Sequence, residues 1–149
     1  MILPDVNVLV FAYRRESRGH ASYARWLSDV VSGADEVAQT ESTLVAFLRI
    51  VTNRRIFADP APTRDALTFV DGVRSAARAR RLEATPSVWT AFTGFAAGDD
   101  GVRGNVVPDA WLAALAVAHG CRVATADRGF SRFPGLDWFD PARAGGTTS

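Results

Sequence analysis

Four acidic residues stand where a parallel sheet would carry its chemistry. Asp5 ends the short segment Ile2 to Asp5, with Asn7 two residues on. Glu41 follows Glu36 to Gln39, Asp109 sits at the head of the run opened by Pro108, and Asp127 follows the segment CRVATA. If the segments before Asp5, Glu41 and Asp127 are strands and Asp109 begins a helix, all four lie at the edge where strands end and helices begin, the edge at which open parallel sheets bind ligands. Taken singly, each acid has a plainer explanation as a first-turn residue that caps a helix or complements its dipole. Four at one end of a sheet are harder to explain that way, because clustered carboxylates repel one another and raise each other's pKa unless a cation holds them. The cluster therefore implies a metal.

An all-oxygen donor set favours a hard cation, Mg²⁺ with Mn²⁺ as a substitute, over zinc. His20 and His119 are isolated in the sequence and are not read as ligands. Mg²⁺ held by a few carboxylates keeps positions for water and phosphate oxygens. It polarises a phosphoryl oxygen, lowers the pKa of a bound water and stabilises a leaving alkoxide. That chemistry is phosphodiester hydrolysis.

Strands alternating with helices must position these acids. Ile2 to Asp5 reads as a strand running into a helix from Asn7 to about Arg15, and Tyr23, Leu27, Val30 and Val31 share one face of a helix from His20 to Val31. Glu36 to Gln39 is a short strand, followed by Leu44, Phe47, Leu48 and Val51 at helical spacing. Thr63 is the expected N-cap of a helix from Arg64 to Arg78, and Leu82 to Thr85 the expected third strand. A helix from Val88 to Ala97 should pack Trp89, Phe92 and Phe95 in the core. The loop GDDGVRGN leads to a helix that Pro108 opens and Gly120 ends, after which CRVATA is a buried strand, FSRF a helical turn and LDWF the last strand. Glu41 lies three residues before Leu44, and Asp109 three before Leu112. Each carboxylate should therefore extend the buried stripe of its helix and point towards the sheet. The pattern is that of an α/β fold with a mostly parallel sheet covered on both faces.

Composition bounds the rest. A chain of 149 residues with 48% hydrophobic content suits a single domain, here 1–140, with 141–149 a disordered tail. No apolar run reaches the roughly 20 residues that span a bilayer, the start lacks the features of a signal peptide, and Cys121 is the lone cysteine. A soluble, cytoplasmic protein is expected. All 17 basic residues are arginine, set against 16 acids, so net charge alone decides nothing about partners.

The segments PDVNVLVFAY, TESTLVAFLRIVTNRRIF, GNVVPDAWLAALAVAHG and VATADRGFSRFPGLDWF, in this order and spacing, resemble the PIN domain, most closely the VapC toxins of VapBC toxin–antitoxin pairs. The resemblance covers Met1 to Asp140. It implies a three-layer α/β/α fold and a metal site of Asp5, Glu41, Asp109 and Asp127. Asn7, Asn105 and Thr125 would support that site. The implied activity is Mg²⁺-dependent endoribonuclease cleavage of RNA, with transfer or ribosomal RNA as substrate. The implied assembly is a homodimer, and a heterotetramer or larger with a VapB-type antitoxin.

With the four site acids set aside, arginine is in clear excess, which is compatible with RNA around an acidic centre. Arg74, Arg78 and Arg81 at i, i+4 and i+7 would share one helical face, suited either to phosphate contacts or simply to solvent. Arg49 and Arg54 are candidates for RNA contact or for pairing with a carboxylate, and Trp111, off the Leu112 and Leu115 stripe, for a dimer or antitoxin surface. Two other readings stand beside the nuclease. One is a catalytically inactive PIN-like module that binds RNA or protein. The other is a phosphotransferase with Asp5 as nucleophile, which would want an acid where Asn7 stands and a lysine that the chain lacks.

Overall fold

The computed structural model describes residues 1–144. Five short parallel strands, β1 (Ile2–Pro4), β2 (Val37–Gln39), β3 (Ala79–Arg81), β4 (Arg122–Ala124) and β5 (Trp138–Phe139), form one sheet in the order β3-β2-β1-β4-β5. Parallel neighbours cannot be joined by a hairpin, so each connection must cross over, and helices fill the crossovers. They are α1 (Val6–Tyr13), α2 (His20–Ser32), α3 (Glu41–Val51), α4 (Thr63–Arg74), α5 (Pro86–Gly98), α6 (Val106–His119) and α7 (Pro141–Ala144), with a 3₁₀ segment at Arg128–Arg132.

Two apolar layers hold the sheet. One joins Leu3, Ala38 and Val123 of the strands to Val88 of α5 and to Leu112, Ala113 and Leu115 of α6, and Phe130 and Phe133 close it. The other gathers α1 to α4 around Val8, Leu9, Leu27, Phe47, Val51 and Val70. This is the three-layer α/β/α arrangement expected. Helix α6 is its most enclosed element. Ala110, Ala113, Ala114 and Ala116 are fully buried, and their small side chains let the helix approach both the sheet and α5.

The β3 region departs from expectation. The helix expected to run to Arg78 stops at Arg74, and the strand expected at 82–85 lies at Ala79–Arg81. Ser75 ends α4 by turning back on it, its hydroxyl and its backbone N–H both donating to the Asp71 carbonyl at 2.7 and 2.9 Å. The chain then pairs with β2, where Val37 N–H donates to Arg78 O and Leu82 N–H to Gln39 O. Alanine and arginine are both strong helix formers, so local propensity favoured a helix through RSAARAR; pairing at the sheet edge overrides it. Arg74, Arg78 and Arg81 therefore share no helical face.

Smaller differences follow. Helix α6 begins two residues before Pro108, which sits inside its first turn. Trp89 is 59% exposed rather than core. Of the tail expected to be disordered, Pro141–Ala144 form α7 against α2. Asp140 Oδ1 accepts both the Tyr23 hydroxyl at 2.9 Å and the Ala142 N–H at 3.0 Å. The rest of that tail lies outside the described residues. No helix among the described residues is long and apolar enough to cross a membrane.

Candidate active site

The site is built by register. β1 and β4 are adjacent with Pro4 opposite Ala124, so the next residues, Asp5 and Thr125, leave the sheet side by side. From β1 the chain order runs outwards through β2 and β3 on one side and β4 and β5 on the other, which makes the β1/β4 boundary the topological switch point where a crevice opens.

Helix α1 starts directly after β1, and this makes Asp5 its N-cap, with Oδ1 accepting Val6 N–H at 2.6 Å. Oδ2 accepts the Thr125 hydroxyl at 2.8 Å. Thr125 Oγ1 also accepts from Asn7 Nδ2 at 3.3 Å and from Asp127 N–H at 3.0 Å, so its one donor and two acceptor positions are all used. Asn7 is fixed from its other end, where Oδ1 accepts Ala126 N–H at 3.3 Å. Asn7 thus supports Asp5 through Thr125 rather than directly. Asp127 caps the 3₁₀ segment, its Oδ1 accepting Gly129 N–H at 2.7 Å.

Asp109, in the first turn of α6, faces Asp5 across a cavity of about 110 Å³ that Ser42, Thr43, Pro108 and Trp111 also line. Burial pushes the Asp5 carboxyl up to about 6. The Thr125 and Val6 hydrogen bonds oppose the rise, and the charge of Asp127 adds to it. Asp109 is raised to about 6 as well, first by burial and then by the charges of Asp5 and Asp127, with Arg132 opposing. Three of the four expected acids therefore feel one another. As they stand, no three His, Cys, Asp or Glu side chains among the described residues are arranged to share an ion. The oxygens of Asp5 and one of Asp127 are engaged in the caps and the Thr125 bond just described.

Glu41 is not brought into this group. It begins α3, as expected, but its side chain is 54% exposed and Oε1 pairs with Arg81 Nε at 2.8 Å. Asn105 is the exposed N-cap residue of α6, and its side chain makes no capping bond. Arg74 and Arg81 line a separate cavity with Glu41, whereas Arg78 lies 4.0 Å from Glu36 at the sheet edge. Arg49, in the last turn of α3, and Arg54, just beyond it, are exposed at the end of α3 away from Glu41.

Sequence reasoning missed Ser42 and Thr43 as cleft walls and Arg132 as the cation near Asp109. Trp111, a candidate for a dimer or antitoxin surface, walls the cleft and packs edge-on against Trp89 and Phe92, with ring centroids 6.3 and 5.5 Å away. Arg132 carried one available signal, its position five residues after Asp127 in the turn that Asp127 caps.

The PIN domain family model matches residues 2–136. Ribonuclease VapC43 of Mycobacterium tuberculosis is 40% identical over 141 residues, covering 95% of each chain. Ribonuclease VapC25 of the same organism is 34% identical over 142 residues, covering 95% of this chain and 99% of its own. Among solved structures, VapBC2 of Rickettsia felis bound to a promoter DNA fragment superposes with a TM-score of 0.70 at 17% identity, covering 94% of this chain and 98% of that one. M. tuberculosis VapC20, described as a sarcin–ricin loop cleaving toxin, gives 0.65 at 17% identity, covering 88% and 93%.

Proposed function

The chain belongs to the PIN domain family, among the VapC ribonucleases, and on that footing we propose that it is a Mg²⁺- or Mn²⁺-dependent endoribonuclease, the toxin of a toxin–antitoxin pair. The observation that carries this is the pairing of Asp5 and Asp109 across a small cleft at the sheet's switch point, both carboxyls raised to about 6 by burial and by like charge. Such a site is electrostatically frustrated, and a hard divalent cation relieves it.

Asp5 and Asp109, which face one another across the cleft, would hold the ion, with Asp127 adding negative charge beside them. When bound, it supplies positive charge at the phosphoryl oxygen, acidifies water and neutralises the departing alkoxide. The protein's own part is positional. Thr125 and Asn7 lock the Asp5 rotamer, and the Thr125 hydroxyl oxygen accepts Asp127 N–H and ties that residue to the same network. Gly129 N–H fixes the Asp127 carboxylate, and Arg132 sets positive charge beside Asp109. Attack by water at phosphorus breaks the bond to the 3′ oxygen, leaving a 5′-phosphate on one fragment and a 3′-hydroxyl on the other. Transfer or ribosomal RNA is the expected substrate and the cytoplasm the expected compartment. A VapB-type antitoxin is the expected partner, on a homodimer or in a heterotetramer or larger.

A second reading has one observation in its favour. Glu41 is tied to Arg81 outside the aspartate group, as it would be in a PIN-like module that binds RNA or protein without cutting it. Purified, antitoxin-free protein incubated with end-labelled total RNA in Mg²⁺ or EDTA separates the two. Metal-dependent fragments bearing 5′-phosphates are expected. Binding without fragments would establish the inactive module instead.

A further inference from the structure

A second cavity, of about 200 Å³, opens beside the aspartate cleft and is lined by Gln39, Thr40, Glu41, Leu44, Arg74 and Arg81, among others. The two share a wall. Thr40 and Glu41 face the second cavity, whereas Ser42 and Thr43, the next residues of α3, face the cleft that holds Asp5 and Asp109. An RNA strand with one phosphate at the aspartates would therefore bring a neighbouring phosphate to the arginines.

The cations there are placed by the fold. β2 and β3 pair with Gln39 opposite Arg81, so Arg81 leaves the edge strand beside the head of α3. Arg74 ends α4, and its carbonyl accepts Gln39 Nε2 at 3.4 Å, which sets the residue at the cavity wall. Arg74 forms no salt bridge among the described residues. Among the described residues Arg81 pairs with the Glu41 carboxylate alone, on side chains 65% and 54% exposed. Ion pairs so exposed are weak and exchange readily, and a guanidinium fork takes a phosphate through two hydrogen bonds at once.

Resting on the nuclease reading, we infer that this cavity is a second phosphate subsite for the RNA strand, at which a phosphate adjoining the scissile one docks on Arg81 and Arg74 and displaces Glu41 from Arg81. Glu41 is thereby a competitor for the subsite. The exchange frees its carboxylate from Arg81 within this second cavity.

The test is binding of a fluorescent RNA oligonucleotide to the full chain in EDTA, followed by anisotropy over a range of salt, for wild type, Arg81→Gln, Glu41→Gln and the double variant. Arg81→Gln is expected to weaken binding by about 5-fold or more and to lower the salt slope by about one. Glu41→Gln should tighten binding in the wild-type background and leave it unchanged when Arg81 is gone. Melting curves check the fold, and Arg81→Lys, which keeps the charge but loses the fork, should bind more weakly than wild type at an unchanged salt slope. Unaltered affinity and slope in Arg81→Gln, or an equal gain from Glu41→Gln in both backgrounds, would overturn the subsite. If wild type still cleaves RNA in Mg²⁺, that result removes the subsite and spares the nuclease; a wild type that neither binds nor cuts RNA removes both.

Discussion

At the scale of single residues, the cleft is defined by carboxylates kept against their preference. A buried acid whose pKa is raised binds its proton more tightly in the folded chain than in the unfolded one. Stability therefore falls as pH rises from the ordinary aspartate value, near 4, to about 6, and the deficit persists above that. Asp5→Asn, which keeps an oxygen for the Val6 N–H but sets an amide nitrogen against the Thr125 hydroxyl, removes the charge penalty at the cost of that bond. Its stability relative to wild type should thus be on the order of 1–3 kcal/mol more favourable at pH 7.5 than at pH 3.5, as denaturant melts at the two pH values would show. Thr125→Val should destabilise the fold. It strips a donor from Asp5 and an acceptor from both Asn7 and Asp127 N–H inside a fully buried site, at a cost of about 2–4 kcal/mol that Thr125→Ser largely restores. Asp5 and Thr125 were legible in the sequence because each directly follows an apolar strand. Glu41 was placed on the correct helix, but it does not extend the buried stripe towards the sheet as its spacing from Leu44 suggested: its carboxylate is half exposed and turns to Arg81, a partner that could not be read. Arg81 lies 40 residues on, and only the pairing of β2 with β3 sets the two side by side.

At the scale of elements, α6 matters most, since it carries Asp109 and packs on both the sheet and α5. Its alanines fix how near it can lie. Ala113→Leu should force it away, destabilising the fold by about 1–3 kcal/mol and moving Asp109 out of reach of its partners, so that a thermal melt and a cleavage assay decline together. The entry to α6 depends on Gly104, whose φ of +56° sits in the left-handed region with open space where a Cβ would go. Gly104→Ala should therefore cost about 1 kcal/mol from backbone strain alone, without a clash and with cleavage retained in the variant that remains folded. The strongly patterned elements, α2, α3 and β4, were readable from periodicity. β3 was not, because an edge strand of Ala-Arg-Arg has one half-buried residue and no alternation to betray it, and what holds it is a β2 strand 42 residues earlier.

At the scale of the whole molecule, strand order does what no residue does alone. The chain turns from one side of β1 to the other only when it reaches β4, and that reversal is what places Asp5, Asp109 and Asp127 around one crevice despite more than 100 residues between the first and the others. Since the same crowding destabilises the ion-free fold, binding of Mg²⁺ or Mn²⁺ should stabilise it, by about 2.7 kcal/mol at a metal concentration 100 times Kd, and the rise in Tm should shrink in Asp109→Asn. The role of the paired aspartates is tested by the rate of RNA cleavage at fixed Mg²⁺ by wild type and by Asp109→Asn, with melting temperatures taken on the same samples. A variant that melts at or above the wild-type temperature and cleaves about 1000-fold more slowly or not at all is the expected result. A folded Asp109→Asn that cuts RNA at the wild-type rate would contradict it.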